Sequence, residues 1–528
     1  MSITLIFIWI LIFLFWFVYR KYKKNFDEFE SYGLKYMKPW EGVGSFFKIM
    51  LLKITMFDAV EDFYRKFSGQ KVAPALSILN QRVFLIRDPT IIKQIAIKDF
   101  DHFVNHDKTV DENLDPVIGK NLFTLRDESW RKMRNSLSPI FTSSKMKMMF
   151  GILSETADDF VDFCNEKLES EGKIEIDCKS IFVRFAVDGI STAVLGFKAD
   201  CLRNEKSQVY EMVQKIIKPP SSGIFKILIF VFAKWLYKLL KLKVLPPDVY
   251  EFFKAAIVNV MKEREEKGIF RPDVIELLMR AKRGQLAAAD KNNEVNEAEL
   301  SNFSANPEYE VKSKNSIIWT DDHFIAQGHL FFSAGLATSS VVLETVAYYL
   351  AVNKNYQNEI IKEVDAVENP TYEAIHKMKF LDMFISEVLR LWASPFLNRE
   401  CNKDYKMDFG DGIVINVKNG DFVQFPVWSI HHDEKYFPNP EVFDPYRFSD
   451  ERKGEILNYY MPFGIGPRIC IASRFALMEV KVLIFKILSK FTFEACEKTP
   501  KKLKAKPSLT EFQFTEDIIV ELKPRDGK

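Results

Sequence analysis

Cys470 is the residue whose surroundings point most clearly to chemistry. It ends the segment Pro462–Cys470, PFGIGPRIC, and a helical run over Ile471–Leu488 follows it. Glycines let backbone N–H groups turn toward a sulfur atom, and the positive end of a following helix stabilises a thiolate. The pattern therefore predicts an anionic metal ligand, although a lone cysteine before a helix is more commonly buried and inert.

Side chains able to hold an anionic cofactor accompany this cysteine. Arg468 lies two residues earlier and offers a cation for an anionic cofactor group, and Phe463 offers an aromatic cover for the sulfur. An anionic cofactor group therefore fits beside this cysteine.

A long helix is predicted over Asp321–Asn353, which contains no proline and would extend roughly 50 Å. Its centre is apolar enough for a membrane span, but polar residues such as Ser333 and Glu344 would be costly against lipid. A helix buried within the domain is favoured. Thr338 lies near its middle, where a hydroxyl is usually satisfied by the carbonyl one turn back.

The remaining pattern indicates a mainly α fold with a minor β part. Helical periodicity dominates from about Phe57, and Val83–Ile86 and Ile413–Val417 read as short strands. The polar stretch Ala287–Lys314 is predicted to be a surface connection. We expect one large catalytic domain over 46–528, after a linker over 25–45.

The first residues predict a membrane anchor. Ile3–Tyr19 carries no charge and would span roughly 26 Å as a helix, enough for the hydrocarbon core. Basic residues follow the apolar run instead of preceding it, which disfavours a cleaved signal peptide. We therefore assign 1–24 to an anchor, with the rest of the chain in the cytosol.

A second segment, Ile224–Leu240, has lysines at helical spacing on one face of an apolar helix. It is either an interfacial helix that dips into the bilayer or an ordinary core-packing helix.

Composition narrows the function classes. The net charge of +2 gives no general attraction to nucleic acid, so we expect no nucleic-acid partner. The six cysteines contain no CxxC pair, which argues against a zinc ribbon or a disulfide framework. The 48 phenylalanines are compatible with a large apolar interior or pocket.

The cysteine segment resembles the cytochrome P450 superfamily of haem-thiolate monooxygenases. The family pattern Phe-x-x-Gly-x-Arg-x-Cys-x-Gly is matched at Phe463, Gly466, Arg468 and Cys470, and Ala472 replaces the last glycine. We expect this alanine to cause local crowding near the haem without loss of binding.

The resemblance implies a cytochrome P450 fold and a haem b cofactor, iron protoporphyrin IX. Cys470 would be the axial ligand of the iron. Trp130, Arg134 and Arg468 would hold the propionates, with Arg399 as a further arginine.

Two more matches extend the resemblance. Glu387 and Arg390 are i,i+3 neighbours on a helix, and by resemblance Arg447, in Pro445–Phe448, completes a buried structural network with them. Ala334–Ser339, AGLATS, resembles the family's oxygen-binding groove Ala-Gly-x-acid-Thr-Thr. There the small residue pair would let the helix approach the haem.

The groove departs from the family pattern at one position. By resemblance, Thr338 would hydrogen-bond dioxygen and guide protons to it, beside an acidic residue that is Ala337 here. A missing relay group would slow the reaction or divert reduced oxygen to peroxide, unless water or Ser339 substitutes.

The stretches Arg271–Lys282, Ile430–Asp433 and Phe141–Thr142 resemble the insect microsomal branch related to the drug-metabolising clan. This resemblance implies a monooxygenase of the endoplasmic reticulum membrane that oxidises lipophilic foreign compounds, such as insecticides and plant toxins, or endogenous lipids. Electrons would come from NADPH through NADPH-cytochrome reductase, with cytochrome b5 as a further partner. By analogy, the reductase would dock on the face that carries Cys470, where basic side chains such as Arg131 and Lys132 would meet acidic partners. Apolar side chains near Leu122 and Phe123, and some of those between Phe225 and Trp235, would line the substrate pocket, an expectation that rests on their apolarity alone.

Two other functions remain open. The first is an isomerase or lyase of fatty-acid hydroperoxides, which needs neither reductase nor dioxygen and is supported by Ala337 alone. The second is a haem protein that sequesters lipophilic ligands with little turnover.

Overall fold

The structure is a computed structural model that describes residues 16, 20, 22–77, 80–107, 110, 112–204, 206–217, 226, 229, 234–243, 245–285, 317–410, 412–508 and 512–525. The predicted anchor over 3–19 lies outside these residues, apart from Trp16. The predicted surface connection Ala287–Lys314 also lies outside them, as does most of Ile224–Leu240.

Helices account for most of the described chain, which confirms the mainly α class. In chain order they are α1 Pro39–Met50, α2 Met56–Lys66, α3 Pro89–Lys93, α4 Pro116–Gly119, α5 Asp127–Leu137, α6 Ser143–Glu171, α7 Cys178–Ile190, α8 Gln208–Ile217, α9 Lys234–Leu239, α10 Pro247–Lys254, α11 Val260–Lys267, α12 Val274–Lys282, α13 Asp321–Val352, α14 Lys354–Asp365, α15 Tyr372–His376, α16 Lys379–Leu391, α17 Val427–His431, α18 Lys453–Ile456 and α19 Ser473–Lys490. Helical extensions of π type follow α3, α7 and α10, over Gln94–Lys98, Ser191–Leu195 and Ala255–Asn259. Turns of 3-10 helix lie at Phe100–His102, Ser138–Phe141 and Pro445–Phe448.

The strands are β1 Val72–Leu76, β2 Arg82–Ile86, β3 Ile174–Asp177, β4 Leu397–Glu400, β5 Tyr405–Asp408, β6 Val414–Val417, β7 Phe422–Phe425, β8 Phe491–Ala495 and β9 Ile519–Pro524. The two strands predicted from sequence are therefore confirmed as β2 and β6.

The described residues divide into two units. The smaller unit comprises residues 1–107 and 394–436, and the larger comprises 108–393 and 437–528. The predicted boundaries 1–24, 25–45 and 46–528 stay predictions.

The smaller unit carries a four-stranded sheet in the order β1-β2-β7-β4. Strand β2 runs antiparallel to β1 and parallel to β7, with Phe84 opposite Val423. The pair β5-β6 is antiparallel, with Met407 opposite Ile415. Thr55 caps α2 reciprocally with Asp58, which satisfies N–H groups that the first helical turn leaves free.

The larger unit is built around α13, with the antiparallel sheet β3-β9-β8 as its β part. Helix α13 begins after Thr320 and ends at Val352, within one residue of the predicted end. Among the described residues it alone is long and apolar enough to span a membrane, yet 56% of its most apolar window is buried inside the protein. Helix α13 is therefore a core helix of the larger unit, as the sequence predicted.

Candidate functional site

The loop before α19 is shaped by two glycines and closes on Cys470. Gly464 and Gly466 have φ values of 87° and 75°, which favour glycine because a side chain would crowd the left-handed backbone. The N–H of Cys470 donates to the carbonyl of Phe463 over 3.0 Å, and that of Ile469 donates to Gly466 over 2.8 Å. The loop therefore brings Phe463 beside the backbone of Cys470.

Cys470 is the exposed member of the six cysteines, all of which are described. Desolvation by the surrounding protein raises the pKa of its thiol, while the N–H of Ala472 and the charge of Arg134 act in the opposite direction. An accessible sulfur with dense protein around it is typical of the wall of a cavity. A coordinated metal ion would supply the positive charge that a thiolate needs here.

Arg468 is buried among backbone carbonyl groups and an aromatic ring. Its guanidinium donates to the carbonyls of Leu122, Phe123 and Leu125 at 3.2, 3.3 and 2.7 Å. The guanidinium carbon also lies 4.1 Å from the centroid of the Trp130 ring, a favourable cation–π distance.

Helix α5 positions Trp130 and Arg134 one turn apart, and both approach the cysteine loop. The Trp130 side chain is 1% exposed. Arg134 Nη1 donates to the carbonyl of Ile469 over 3.0 Å, next to Cys470 in the chain. The structure therefore brings Trp130, Arg134 and Arg468 together at the cysteine loop. Their role in holding a cofactor stays a prediction.

A narrow accessible stripe interrupts the otherwise buried α13. Ala334, Ala337 and Thr338 are exposed, whereas Leu336 and Ser339 are buried. Residues spaced by three and four share one helix face. The stripe is therefore an open face of small side chains within the larger unit.

Thr338 is hydrogen-bonded within α13, and Gly335 lies against the neighbouring helix α7. Thr338 Oγ1 donates to the carbonyl of Ala334 over 2.9 Å, which is the ordinary back-bond of a helical threonine. A Cβ on Gly335 would lie 2.9 Å from Cδ1 of Ile190 in α7. The small residue at 335 therefore makes room for α7, and its predicted role in the approach to the haem stays a prediction.

These observations can be set beside known proteins. The family model of cytochrome P450 matches residues 35–516, which include the cysteine loop and the open face of α13. The chain belongs to the cytochrome P450 family. It is accordingly an oxidoreductase, a haem monooxygenase.

Insect members of the cytochrome P450 family are among its relatives. The chain is 38% identical over 500 residues to cytochrome P450 9e2 of Blattella germanica, covering 91% of this chain and 90% of that protein. It is 36% identical to the probable cytochrome P450 9f2 of Drosophila melanogaster, covering 91% and 92%. Cytochrome P450 6j1 of Blattella germanica is 30% identical, with coverage of 90% and 89%.

The residues present fit the haem of a cytochrome P450. The accessible Cys470 thiol offers an anionic ligand, and the small side chains of the α13 stripe leave room for a flat group. Arg399, in the smaller unit, is a buried cation whose Nε has no hydrogen-bond partner among the described residues. Burial lowers the pKa of Arg399 to about 10, and its role in holding the cofactor stays a prediction.

Glu387, Arg390 and Arg447 form a buried network in the larger unit. Arg390 donates to both Glu387 oxygens over 2.7 and 2.9 Å, and Arg447 Nε lies 3.3 Å from Glu387 Oε1. Glu387 also accepts from the N–H of Asp444 over 3.0 Å. Arg390 donates to the carbonyl of Pro440 over 2.7 Å. The network therefore fastens the segment 440–447 to α16.

At Ala472, where the family pattern has glycine, the backbone has φ of −104° and ψ of 21°. Alanine adopts these angles without the strain that a left-handed conformation would impose. The backbone therefore accommodates this departure from the pattern.

The backbone of the segment Lys120–Phe123, which precedes α5, is hydrogen-bonded by side chains from two other elements. Gln327 of α13 accepts from the N–H of Leu122 over 2.9 Å and donates to the carbonyl of Lys120 over 2.9 Å. Arg468, in the cysteine loop, donates hydrogen bonds to the carbonyls of Leu122 and Phe123. The side chain of Phe123 remains 55% exposed.

Sequence reasoning missed Glu479, a buried acid on α19. It is 1% exposed, and neither of its carboxylate oxygens has a hydrogen-bond partner among the described residues. The available signal was a carboxylate inside the apolar run Ile471–Leu488.

Proposed function

We propose that the protein is a membrane-bound monooxygenase that inserts one oxygen atom from dioxygen into lipophilic substrates. NADPH supplies the electrons through a reductase, and cytochrome b5 is a further donor. The substrates are foreign compounds, such as insecticides and plant toxins, or endogenous lipids. The observation that carries this proposal is the accessible thiol of Cys470, together with the open face of α13 in the same unit.

In this proposal the cysteine loop and α5 would hold the haem. Cys470 would supply the thiolate ligand of the iron and Phe463 would cover the sulfur. Arg468, Trp130 and Arg134 would bind propionate groups. The haem, when bound, would supply the activation of dioxygen, which a thiolate ligand favours.

We further propose that Arg399 pairs with a haem carboxylate. Its burial and its unpartnered Nε support this assignment. A guanidinium group prefers a planar anion with two oxygens.

Thr338, on the open face of α13, would take part in the delivery of protons. While Thr338 donates its proton to the carbonyl of Ala334, its oxygen keeps acceptor capacity for a water molecule. Thr338 would therefore hold water on the exposed side of the helix, where Ala337 has no group to do so. The network of Glu387, Arg390 and Arg447 would have a structural role, which its hydrogen bonds to the segment 440–447 support.

The proposed location is the endoplasmic reticulum membrane, with the catalytic domain facing the cytosol. The uncharged run Ile3–Tyr19 and the basic residues after it support this topology. Arg131 and Lys132 are basic residues beside Trp130 on α5, and we place the docking of the reductase near them because complementary charge guides such encounters.

The difference spectrum of the reduced, carbon-monoxide-bound protein tests the thiolate. We expect a red-shifted Soret band in the wild type that Cys470→Ser abolishes and that the control Cys496→Ser preserves. An unshifted band in freshly prepared wild type would refute thiolate ligation by Cys470.

Reconstitution with reductase separates the proposed reaction from the two other functions. We expect NADPH consumption that a lipophilic substrate stimulates, with an oxygenated product. A fatty-acid hydroperoxide isomerase or lyase would turn over without NADPH, and a ligand-sequestering protein would bind the substrate with little product. Either of those results would overturn the monooxygenase proposal.

A further inference from the structure

His329 is a buried polar side chain of α13 with one nitrogen atom unpaired. The residue is 6% exposed, and its Nδ1 has no hydrogen-bond partner among the described residues. Burial lowers the pKa of the imidazole to about 4, so the ring is neutral at neutral pH. A phenylalanine could fill this position without an unpaired polar atom, which costs stability when it is buried. The histidine therefore calls for a reason beyond packing.

Two contacts with the neighbouring segment hold the imidazole in place. Its ring meets that of Phe253 in α10 edge to face, with the centroids 5.0 Å apart and the planes at 80°. A Cβ on the adjacent Gly328 would clash with Ile257, in the π-type extension that follows α10. Helix α13 therefore packs closely against this segment at His329, and close packing restricts the ring to one orientation.

The second imidazole nitrogen is hydrogen-bonded to Ser333. His329 Nε2 lies 3.3 Å from Ser333 Oγ, one turn further along α13. Thr338, Ser340 and Thr345 instead donate to the helix carbonyl four residues back, as helical hydroxyls commonly do. Ser333 makes no such bond to a backbone carbonyl within the part of the chain that the structure describes. Its hydroxyl is therefore held by a side chain and not by the backbone.

Ser333 extends the open face of α13. It is partly exposed, directly precedes Ala334, and lies one turn before Ala337. Residues four apart share a helix face. The open face is therefore flanked by two hydroxyl groups, at Ser333 and Thr338, with the two alanines between them.

The position of the imidazole proton decides what the Ser333 hydroxyl can offer. A neutral imidazole carries its proton on one nitrogen, and its hydrogen bonds set which one. A proton on Nδ1 of His329 would be a buried donor without a partner, and such orphaned N–H groups are rare. The proton therefore resides on Nε2, which donates to Ser333 Oγ. The hydroxyl proton of Ser333 can then be donated to a group beyond the helix.

We propose that Ser333, oriented by His329, determines substrate specificity by donating a hydrogen bond to a carbonyl oxygen of the substrate. The ligand class is a lipophilic ketone or ester. Few polar groups in an apolar pocket fix the orientation of a ligand, and Ser333 is such a group beside two alanines. His329 is a positioning residue that does not contact the substrate. The inference rests on the proposed function and deepens it, since it names the substrate feature that the site selects.

Binding of two matched probes to the full-length holoprotein tests the inference without turnover. Deoxybenzoin and bibenzyl share two phenyl rings on a two-carbon bridge, and only deoxybenzoin carries a carbonyl group. The shift of the Soret band during titration gives the Kd of each probe. We expect Ser333→Ala to raise the Kd of deoxybenzoin about fivefold, through loss of one net hydrogen bond, and to change that of bibenzyl by less than about twofold. An unchanged Kd of deoxybenzoin, or a wild type that binds neither probe, would overturn the inference.

Two variants of His329 separate positioning from packing. His329→Phe keeps an aromatic ring against Phe253 and removes the donor, so it should raise the Kd of deoxybenzoin and spare that of bibenzyl. His329→Gln keeps an N–H group near the position of Nε2 and should retain the affinity for deoxybenzoin. Equal losses for both probes in His329→Phe would refute the positioning role.

Ser340→Ala is the matched control, because Ser340 is a buried serine of the same helix that donates to the carbonyl of Leu336 over 2.7 Å. It should bind both probes as the wild type does, and an effect equal to that of Ser333→Ala would overturn the inference. Each variant is first required to show the wild-type carbon monoxide spectrum.

The failure of the inference and that of the proposed function are distinguishable, because binding needs neither NADPH nor reductase. Selective loss of deoxybenzoin binding in Ser333→Ala, in a wild type that forms no NADPH-dependent product from any lipophilic probe, would support the site and refute the monooxygenase. Normal wild-type turnover, with a Ser333→Ala variant that binds both probes as the wild type does, would refute only the role of Ser333.

Discussion

The guanidinium carbon of Arg468 lies 4.1 Å from the centroid of the Trp130 ring, and the same group donates to three backbone carbonyls of the segment before α5. One side chain thus connects the cysteine loop, α5 and the segment 122–125. The planar guanidinium group can stack on the ring and donate several hydrogen bonds at once, which the ammonium group of a lysine cannot do.

Arg468→Lys should weaken haem retention while preserving the positive charge. Loss of one net hydrogen bond or stacking contact costs about 1 kcal/mol, so we expect the haem to leave about fivefold faster. Transfer of haem to an excess of apomyoglobin measures the rate. Arg452→Lys, at an exposed pair with Asp444, is the control, and equal rates in the two variants would contradict the expectation.

Arg399→Leu should stabilise the apoprotein against heat but weaken haem retention by the holoprotein. Removal of a buried cation whose Nε is unpartnered should raise the thermal midpoint of the apoprotein, because desolvation of the charge is no longer required. The holoprotein should lose haem faster, because a carboxylate partner is lost. A lower midpoint for the apoprotein together with unchanged haem loss would assign Arg399 a purely structural role.

Thr338→Val should lower product per NADPH by on the order of tenfold or more, because the hydroxyl that holds water is removed. Thr338→Ser should retain most of the yield. Thr345→Val serves as the control, since Thr345 is buried and donates to the carbonyl of Val341. Product and peroxide measured against NADPH consumed decide the outcome, and a fully coupled Thr338→Val enzyme would exclude the role given to this hydroxyl.

Glu387→Gln should strongly destabilise the larger unit. It leaves the buried guanidinium groups of Arg390 and Arg447 without their carboxylate, and breaking a buried pair in this way costs roughly 3–5 kcal/mol. Urea unfolding followed by tryptophan fluorescence measures the loss. The exposed pair of Glu263 and Lys267 provides the control Glu263→Gln, which should change little.

Glu479→Gln should flatten the dependence of stability on pH. The unfolded carboxyl ionises near its ordinary value of 4.5, whereas the folded one ionises at about 7. Across this window the unfolded state binds fewer protons, so the wild type loses stability as pH rises, by up to about 3 kcal/mol at 1.36 kcal/mol per pKa unit. Thermal midpoints of the two proteins from about pH 5 to about pH 8 should converge at the acid end. Parallel curves would contradict the raised pKa.

Local patterns in the sequence predicted the elements that carry the site. The proline-free run Asp321–Asn353 gave the bounds of α13 to within one residue. The short strands β2 and β6 were predicted from their apolar runs, because the length and composition of such a run are visible within a few residues of sequence. The approach of Trp130 and Arg134 to the cysteine loop followed from the family resemblance.

Such local patterns could not predict contacts between residues that are far apart in the sequence. The room that Gly335 makes for Ile190 and the burial of Glu479 beside α7 depend on how helices pack. No local periodicity encodes which helix faces which. Gln327 is an example, because its two hydrogen bonds join residues separated by 205 and 207 positions.

The segment held between Gln327 and Arg468 has a consequence for how the substrate range of this enzyme can evolve. Its backbone around Leu122 is fixed from both directions, so insertions or deletions there would disturb the attachment of the cysteine loop. The side chain of Phe123 is more exposed than that of the buried Leu122, so packing constrains its size less. In the proposed substrate pocket, selection for new compounds is therefore expected to exchange side chains at this position while the length of the segment stays constant.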